Sequence, residues 1–514
     1  MFDFRFTAVL LIAIFSLFDA IDGTIARLQN KQSDLGKFLD SNLDRIADTA
    51  IFLAIMTQLN TQEISTYYIL ISALGVSLIT SYVQATAEIA DIKILSGPLS
   101  RLPRIILLLI AIITQEYRNI LIIILIISII LTIFSNLNSE KKCITNIFAK
   151  MGISINGEKK TDIIVHRKQF YSECAKGELG CTESYMNGDW DSRDLEGTMQ
   201  KMLTFQNEND VPFSWKIQLG LQYLHHSIMN MQSISKSVHN VESHYNIGNS
   251  LYTRMLDKNY MQYTCAYYNK PNISLEEAQI NKLELICRKI NLKKGDSVLD
   301  IGCGFGGLSY YMATKYGAKV TAVNISTEQL KLAKQKFNHP LIKYIKIDYR
   351  KISSHLVFDK IVSIGVMEHI GPKNFNDYFE AFYKRLKPDG IALIHTIGCY
   401  GPSGTTSPFI NKYIFPGGYI PRFHEISKCI EKYFKLEDWH NFGKSYAKTL
   451  RAWYNNINKK WNEIPEFDTK FRRMWSLYLL SCAACFEICS LSLWQIVMTK
   501  NCRENNPERG FIKN

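Results

Sequence analysis

The sequence predicts a multidomain protein in which an all-α polytopic membrane domain precedes a small mixed domain and a doubly wound, Rossmann-like α/β domain. Three observations predict this arrangement. Five apolar runs lie within the first 140 residues, and strand-like runs alternate with helical stretches from residue 237 onward. The charge balance changes at the same boundary, because the first 140 residues hold 9 basic and 12 acidic side chains of the totals of 60 and 47.

The apolar runs predict five membrane helices. Each run can extend by a turn into its flanks, toward the roughly 20 residues that a full span needs. Most basic residues between the runs fall on one side of these helices, which identifies that side as cytoplasmic. Five helices that end inside would start outside, so we expect that a preceding helix is missing. The runs cover residues 6–21, 46–59, 64–83, 102–114 and 120–134.

The remainder of the chain divides by composition. Residues 1–140 form the predicted membrane domain, and the polar residues 141–160 are expected to be a linker. A small mixed domain follows over residues 161–236, and the α/β domain over residues 237–505. The strand-like runs "SVLDIG", "KVTAVNI" and "FDKIVSIG" alternate with predicted helices over residues 327–337 and 375–386.

The basic excess and the cysteines limit the possible partners. The net charge of +13 favours anionic lipid headgroups beside a membrane, and no nucleic-acid-binding module is recognisable. Cys482, Cys485 and Cys489 have helical spacing but no histidine nearby at the spacing of a zinc site. We therefore expect the twelve cysteines to be reduced thiols in a cytosolic environment.

Four aspartates stand out in the stretch "DAIDGTIARLQNKQSDLGKFLDSNLD", which begins at Asp19. Asp19 and Asp22 are three residues apart, and Asp40 and Asp44 are four apart, so each pair would share one face of a helix. Facing carboxylates suit Mg²⁺ or Mn²⁺, which can hold a diphosphate during an in-line displacement. The alternative is a solvated acidic helix end.

The order D-x2-D-G-x2-A-R-x8-G-x3-D-x3-D in this stretch resembles the signature of the CDP-alcohol phosphatidyltransferase family. The resemblance implies transfer of a CDP-linked lipid to an alcohol with release of CMP. It implies that Asp44 is a metal ligand and also the base that activates the alcohol. By the same resemblance, the other metal ligands are Asp19, Asp22 and Asp40, and the lipid-binding residues are Gly23, Arg27 and Ser33.

Two further arginines, Arg101 and Arg104, resemble a basic element with which some members of that family receive the phosphate of the alcohol. Ordinary anchoring by basic residues on the cytoplasmic side explains them equally well. Members of the family usually have six helices, with one before the motif helix. The five predicted here leave open whether this domain is active or an inactive anchor.

A glycine turn, "VLDIGCGFGG", ends the first predicted strand of the α/β domain. Small residues in such a turn let backbone amides approach a ligand. The turn alone does not identify the ligand, because nicotinamide-binding proteins use similar turns. The next strand ends in "AVNISTEQ", without the acidic ribose ligand that a nicotinamide site requires.

The strings "ESHYNIGNSLYTRMLDKNYMQYTCAYY", "VMEHIGPKNF", "LIHTIG", "INKYIFPGGYIP", "WHNFGKSYAKTLRAWY" and "YLLSCAACF" resemble cyclopropane-fatty-acyl-phospholipid synthases over residues 162–499. The resemblance implies a class I methyltransferase fold. It also implies transfer of a methylene from S-adenosylmethionine to a cis double bond in a phospholipid acyl chain. The residues implied to bind the methyl donor are Tyr263, Thr264, Gly302, Gly304, Gly306, Asn324, Gln329 and Asp348.

The same resemblance implies that a bound bicarbonate accepts the proton that is lost when the ring closes. Glu368, His395, Tyr454 and the backbone around Cys265 are implied to hold it. Imidazole and phenol groups can donate to its oxygens, and a carboxylate can accept from its hydroxyl. Cys482 matches a cysteine of the family, and we expect it to form part of the active-site wall rather than to act as a nucleophile.

We therefore expect a fusion of two enzymes that act on one membrane leaflet. The alternatives are a single methyltransferase on an inactive membrane anchor, and a non-catalytic lipid-binding scaffold. The expected partners are membrane phospholipids with unsaturated acyl chains, a CDP-linked lipid and an alcohol acceptor, with a homodimer left open. The expected location is a bacterial inner membrane, with the methyltransferase domain on the cytoplasmic face.

Overall fold

The computed structural model describes residues 34–56, 64–89, 101–114, 116–208, 248–400, 404 and 406–501. The chain divides into two units, Met1–Ile147 and Phe148–Asn514.

The N-terminal unit is helical wherever it is described at length. Its helices are α1 (Asp34–Met56), α2 (Ile64–Ile89), α3 (Arg101–Thr114) and α4 (Tyr117–Lys150). Apolar side chains from all four helices form one buried cluster, which includes Phe52, Leu70, Leu108 and Leu121. Other apolar side chains stay on the outside, among them Ile46, Tyr68 and Ile113, at 65%, 69% and 61% exposure.

Three of the five predicted apolar runs lie within these helices, and the run at 46–59 lies in α1 as far as Met56. Residues 57–59 and the run at 6–21 lie outside the described residues. In the part of the chain that the structure describes, no helix combines the length and the apolar character that a membrane crossing requires. The prediction of five membrane helices is therefore not confirmed.

The predicted linker over residues 141–160 is wrong in its first half, because α4 continues to Lys150. The stretch "KKCITNIFAK" keeps helical periodicity, with Ile144 and Phe148 four residues apart and both buried. Phe148 packs against Phe170 at 5.8 Å between ring centroids, so the C-terminal unit begins near Phe148 rather than at residue 161.

A small mixed domain opens the C-terminal unit. Its two strands, β1 (Ile163–Val165) and β2 (Trp190–Ser192), pair in antiparallel register. Trp190 is buried against Phe170, and its ring nitrogen donates to the carbonyl of Cys181 at 3.0 Å. The helices of this domain are α5 (Gln169–Ala175), α6 (Glu178–Met186) and α7 (Leu195–Glu208).

A seven-stranded sheet forms the centre of the C-terminal unit, in the order β5-β4-β3-β6-β7-β9-β8. The first five strands in that order are parallel, and β9 runs antiparallel to both of its neighbours. This arrangement confirms the predicted doubly wound α/β fold. The strands are β3 (Ser297–Ile301), β4 (Lys319–Asn324), β5 (Ile342–Lys346), β6 (Phe358–Ile364), β7 (Leu386–Gly398), β8 (Lys435–Asn441) and β9 (Ser492–Thr499).

Helices cover both faces of this sheet and enclose two apolar cores. β3 is buried along most of its length, which explains its near-continuous apolar sequence. The helices are α8 (Asn249–Met255), α9 (Leu275–Lys289), α10 (Gly307–Tyr316), α11 (Thr327–Lys336), α12 (Phe375–Arg385), α13 (Phe423–Tyr433), α14 (Gly443–Asn458) and α15 (Thr469–Glu487).

Ion pairs join the small domain to α14 and α15. Arg451 on α14 donates to Glu196 of the small domain at 2.9 Å and to Glu487 on α15 at 2.7 Å. Arg473 on α15 donates to the carbonyl of Trp190 at 2.7 Å, and its guanidinium lies 4.0 Å from the ring centroid of Tyr185. The carboxylate of Glu487 is therefore neutralised by its ion pair with Arg451.

Candidate active site

The glycine turn after β3 lies at the carboxyl end of the parallel strands, where ligands bind in doubly wound sheets. Gly302 has a φ of +72°, and a Cβ atom there would lie 2.3 Å from Cγ2 of Val366. Gly306 has a φ of +89°, and its Cβ would lie 2.6 Å from the hydroxyl of Tyr344. The backbone can therefore turn tightly here only because these positions lack side chains.

A cavity of about 150 Å³ opens above this turn. Seven of the eight residues that the sequence assigned to a methyl donor line it. Gly306 is the exception, because it packs beneath the turn against Tyr344 and Ala333. The seven lining residues are Tyr263, Thr264, Gly302, Gly304, Asn324, Gln329 and Asp348.

Two polar side chains are fixed at the rim of this cavity. Asn324 donates to the carbonyl of Gly304 at 3.3 Å and to Oε1 of Gln329 at 2.9 Å, so it ties the glycine turn to α11. Asp348 accepts from Nε of Arg350 at 2.9 Å. Burial opposes ionisation of Asp348, but the hydrogen bonds from Arg350 outweigh it and lower the pKa of the carboxyl.

A buried lysine supports the segment that carries Tyr263 and Thr264. Lys282 on α9 has no exposed surface, and it donates to Thr264 Oγ1 at 3.0 Å and to Oε1 of Gln262. Burial lowers its pKa to about 7, although nearby Asp257 and Cys265 favour the charged form. The cavity therefore has a rigid wall at residues 262–264.

Glu368 lies in the short helix Met367–His369, beyond the end of β6. One oxygen, Oε1, accepts from the backbone N–H of Ile397 at 2.7 Å. The other, Oε2, is buried and has no hydrogen-bond partner among the described residues. Burial raises the pKa of Glu368 to about 7, so the carboxyl can gain or lose a proton near neutrality.

His395 lies on β7, two residues before Ile397, and only 2% of its surface is exposed. Its Nδ1 is 3.3 Å from Nε2 of Gln495, whereas its own Nε2 is buried without a partner in the described structure. Burial, together with the charges of Lys282 and Lys289, holds the pKa of His395 well below its usual range. The imidazole is therefore neutral at physiological pH.

Tyr446 on α14 is a further candidate for this site, in addition to the predicted Tyr454. Phe442 packs against the ring of His395 at 5.9 Å between centroids, and Tyr446 lies one helical turn farther along the same face of α14. Burial raises the pKa of Tyr446, and the nearby ionisable groups Cys265 and Glu368 raise it further.

Tyr454 lies elsewhere on the same helix. It is eight residues beyond Tyr446, which is about 12 Å along a helix axis. Burial raises the pKa of Tyr185 in the small domain to about 12, and the charge of Tyr454 contributes to that increase. Both tyrosines fall in the string "WHNFGKSYAKTLRAWY". Phe442 was the sequence signal that could have distinguished them, because it lies four residues before Tyr446 and residues at that spacing are neighbours on a helix. The backbone N–H of Ile397 was also missed, because side-chain patterns do not reveal backbone donors.

The two predicted cysteines are thiols rather than thiolates. Cys265 is completely buried, and burial raises its pKa well above the usual range. Burial also raises the pKa of Cys482, which lies near Tyr446 and Tyr478. A protonated thiol is a poor nucleophile, so neither side chain is activated for covalent catalysis.

Aromatic rings pack around Tyr263, which lines the cavity, and around Tyr446. The hydroxyl of Tyr263 is 3.0 Å from that of Tyr478, and its ring packs against Trp453 and Tyr252 at 5.2 and 5.1 Å. Tyr446 packs against Phe486 at 4.6 Å. Such a wall excludes water and presents ring faces that tolerate positive charge.

The residues predicted for the membrane domain are only partly described. Asp19, Asp22, Gly23, Arg27 and Ser33 lie outside the described residues. The backbone of Asp40 and Asp44 belongs to α1, and that of Arg101 and Arg104 to the first turn of α3. Among the side chains that are described, no group of three or more histidine, cysteine or acidic residues is arranged to hold a metal ion.

Residues 232–496 match the family described as mycolic acid cyclopropane synthetase, and residues 2–134 match the family described as CDP-alcohol phosphatidyltransferase. Both resemblances drawn from the sequence are therefore confirmed. The solved structure of coclaurine N-methyltransferase bound to N-methylheliamine and SAH is 19% identical, with a TM-score of 0.52 over 63% of this chain and 99% of that one. This likeness shows a shared methyltransferase fold.

Curated relatives match over most of their length. The chain is 41% identical over 356 residues to the cyclopropane-fatty-acyl-phospholipid synthase of Escherichia coli K12, which covers 69% of this chain and 92% of the relative. It is 35% identical over 274 residues to a probable fatty acid methyltransferase of Pseudomonas putida, and this match covers 51% of this chain and 68% of the relative. By these matches, the chain belongs to the mycolic acid cyclopropane synthetase family of methyltransferases.

Proposed function

We propose that the C-terminal unit is a cyclopropane-fatty-acyl-phospholipid synthase that uses S-adenosylmethionine. The observation that carries this proposal is a pair of buried polar atoms without partners among the described residues, Glu368 Oε2 and His395 Nε2. Glu368 lies between Val366 and His369, which line the cavity above the glycine turn, and the carbonyl of His395 accepts from the backbone N–H of Gly365, another lining residue. Unsatisfied buried polar atoms are costly, and a binding site accounts for them.

In the proposed reaction, the π electrons of a cis double bond form a bond to the methyl carbon while the C–S bond breaks. S-adenosylhomocysteine leaves, and a carbocation remains on the acyl chain. Loss of a proton from the new methyl group closes the three-membered ring. Because an alkene is a weak nucleophile, the chain's own residues contribute mainly by alignment and by exclusion of water.

The cavity residues suit a sulfonium nucleoside. Asp348 is ionised at neutral pH because its pKa is lowered, so it can accept hydrogen bonds from a ligand in the cavity. The glycine turn lets backbone N–H groups approach the ligand, and the aromatic wall at Tyr263 tolerates the positive charge of the methyl donor.

The polar cluster suits a small oxyanion such as bicarbonate. This cluster is assigned to Glu368, His395, Tyr446 and Cys265. Glu368 and His395 each have one buried polar atom without a hydrogen-bond partner among the described residues, and Ile397, which binds the other oxygen of Glu368, follows His395 by two residues on β7. Tyr446 is included because Cys265 and Glu368 contribute to the rise of its pKa. These residues and the backbone around Cys265 would hold bicarbonate, which would supply the proton acceptor when bound. Glu368 keeps one oxygen on the N–H of Ile397, so its orientation does not depend on the ligand.

Methyl transfer can be tested directly on the full-length chain. We expect label from S-adenosyl[methyl-¹⁴C]methionine to enter vesicles whose phospholipids carry cis-monounsaturated chains. Mass spectrometry of those chains should then detect a gain of one CH₂ unit and the loss of the double bond. Vesicles with saturated chains are the matched control. Label incorporated equally into both, or into neither, would contradict the proposal.

A matched pair of substitutions tests the assignment of the tyrosine. Tyr446→Phe is expected to lower kcat for methyl transfer by about 10²-fold, since the phenol is a donor in the polar cluster. Tyr454→Phe is expected to change kcat less than about twofold, because Tyr454 lies eight residues farther along α14. Kinetics of both variants with vesicles give the comparison, and equal losses in the two would refute the assignment.

We further propose that the N-terminal unit is a metal-dependent CDP-alcohol phosphatidyltransferase. Two observations favour it, namely the family match over residues 2–134 and a helix that carries Asp40 and Asp44 four residues apart. Carboxylates with this spacing share one helix face, and their oxygens suit Mg²⁺ or Mn²⁺. An inactive anchor is the alternative.

Metal removal tests this second activity. With CDP-diacylglycerol and a panel of alcohol acceptors, the full-length chain is expected to release CMP in the presence of Mg²⁺ or Mn²⁺. EDTA should abolish that release while methyl transfer in the same sample continues. Absence of CMP release with every acceptor in the panel would favour the inactive anchor.

Both proposed activities take substrates from one bilayer, so we also propose a membrane location with the C-terminal unit on the cytoplasmic face. The exposed apolar side chains of α1, α2 and α3 support a lipid-facing surface on the N-terminal unit. A tether of this kind would keep the methyltransferase at a high local concentration near its acyl chains.

A further inference from the structure

Gln495 is a buried glutamine beside His395, and the proposed reaction gives it no role. It lies on β9 with no exposed surface, between β7 and β8. The register pairs it with His395 on one side and with His440 on the other. Residues directly opposite in antiparallel strands project from the same face, so the three side chains form a row.

The hydrogen bond within this row determines the protonation of His395. Nε2 of Gln495 lies 3.3 Å from Nδ1 of His395. An amide nitrogen donates and cannot accept, so Nδ1 must be the acceptor. A neutral imidazole carries one proton, which then resides on Nε2. That nitrogen is the buried atom that has no partner among the described residues.

The charges around the row favour this orientation of the amide. Lys289 on α9 pairs with Asp438 at 2.9 Å and lies 3.2 Å from Nδ1 of His440. Oε1 of Gln495 is buried without a hydrogen-bond partner among the described residues, and a cation on the His440 side is the nearby charge that would attract it and leave the NH₂ group facing His395. Lys282, also on α9, and Lys289 both oppose a second proton on His395.

We propose that Gln495 is a positioning residue that holds His395 in the tautomer with its proton on Nε2. His395 then presents an N–H donor to the polar cluster, opposite the acceptor oxygen of Glu368. The other tautomer would present two acceptors and would repel an oxyanion. The inference deepens the proposed function, on which it rests for the role of the cluster.

Two substitutions with side chains of similar length test whether Gln495 acts as a hydrogen-bond donor or only fills space. Gln495→Met keeps the volume but removes the donor. Gln495→Glu introduces a carboxylate, which would accept from Nδ1–H and so reverse the tautomer or add a second proton. Solid-state ¹⁵N NMR of the full-length, ¹⁵N-histidine-labelled chain reads the state of each ring nitrogen. The signals of His395 are assigned by their loss in His395→Gln.

In the unsubstituted chain we expect a protonated Nε2 and an unprotonated Nδ1. Gln495→Glu should protonate Nδ1, and Gln495→Met should give a mixture of both tautomers. A protonated Nδ1 in the unsubstituted chain, or an unchanged His395 in Gln495→Glu, would overturn the inference. This readout needs no methyl transfer, so it distinguishes failure of the inference from failure of the proposed function.

Kinetics provide the second readout. We expect Gln495→Met to lower kcat by about 10-fold and Gln495→Glu by about 100-fold, as for residues that orient a ligating histidine. KM for S-adenosylmethionine should stay unchanged in both, because Gln495 does not line the donor cavity. A parallel loss of Tm and rise of KM, with the tautomer unaltered, would show a merely structural role and overturn the inference.

Discussion

Glu368→Gln is expected to slow methyl transfer by about 10³-fold or more. Its carboxylate binds the backbone N–H of Ile397 with one oxygen, and its other oxygen is buried without a partner among the described residues, free to accept a hydrogen bond from a ligand. Glutamine can keep the first contact through its carbonyl, but it places an NH₂ group where the cluster needs an acceptor. The loss should therefore be in kcat, with little change in KM for S-adenosylmethionine.

The same substitution should stabilise the folded chain above neutral pH. Burial raises the pKa of Glu368 from 4.5 to about 7, so the folded protein retains a proton that the unfolded chain has released between these values. The free energy of unfolding contributed by this group therefore falls as the pH rises through that window. Glutamine removes this loss, with a gain of at most roughly 3 kcal/mol above pH 7 and none below pH 4.5.

Thermal unfolding at about pH 5 and pH 8, together with kinetics across that range, tests both effects. The unsubstituted chain should show a kcat that rises with pH through about 7, as Glu368 ionises. Glu463→Gln, at a side chain with 56% exposure, is the matched control and should change neither property. Retention of full activity in Glu368→Gln would show that Glu368 is not an active-site residue.

Asp44→Asn is expected to abolish CMP release, with a loss of about 10³-fold or more, and to leave methyl transfer unchanged. The amide has nearly the same size, but it is a weaker metal ligand and cannot accept the proton of the attacking alcohol. Asp44 shares one face of α1 with Asp40, as a metal site that combines the two would require.

Asp34→Asn, on the same helix but at a variable position of the motif, is the control, and it should retain CMP release. Glu368→Gln serves as the reciprocal variant, since it should lose methyl transfer and keep CMP release. If CMP release survives in Asp44→Asn, the aspartate motif is not its source. If Asp44→Asn instead lowers both activities alike, the substitution has damaged the folding of the whole chain.

Local sequence was enough to predict much of the C-terminal fold. Alternation of buried strands and amphipathic helices is a property of neighbouring residues, so "SVLDIG", "KVTAVNI" and "FDKIVSIG" were recognisable as strands. The glycine turn was recognisable for the same reason, because positive φ angles within a few residues require glycine. The helical continuation to Lys150 was missed because polar composition outweighed the periodicity of Ile144 and Phe148.

The sequence by itself thus determined the strands of the α/β sheet, the turn beneath the cavity and both family resemblances, all of which depend on residues close together in the chain. Only the tertiary structure made Tyr446 a candidate partner of Glu368 and placed Gln495 against His395. Helical phase and strand register bring together side chains that are about 30 to 180 residues apart, as Cys265 and Tyr446 are. No local pattern encodes those distances.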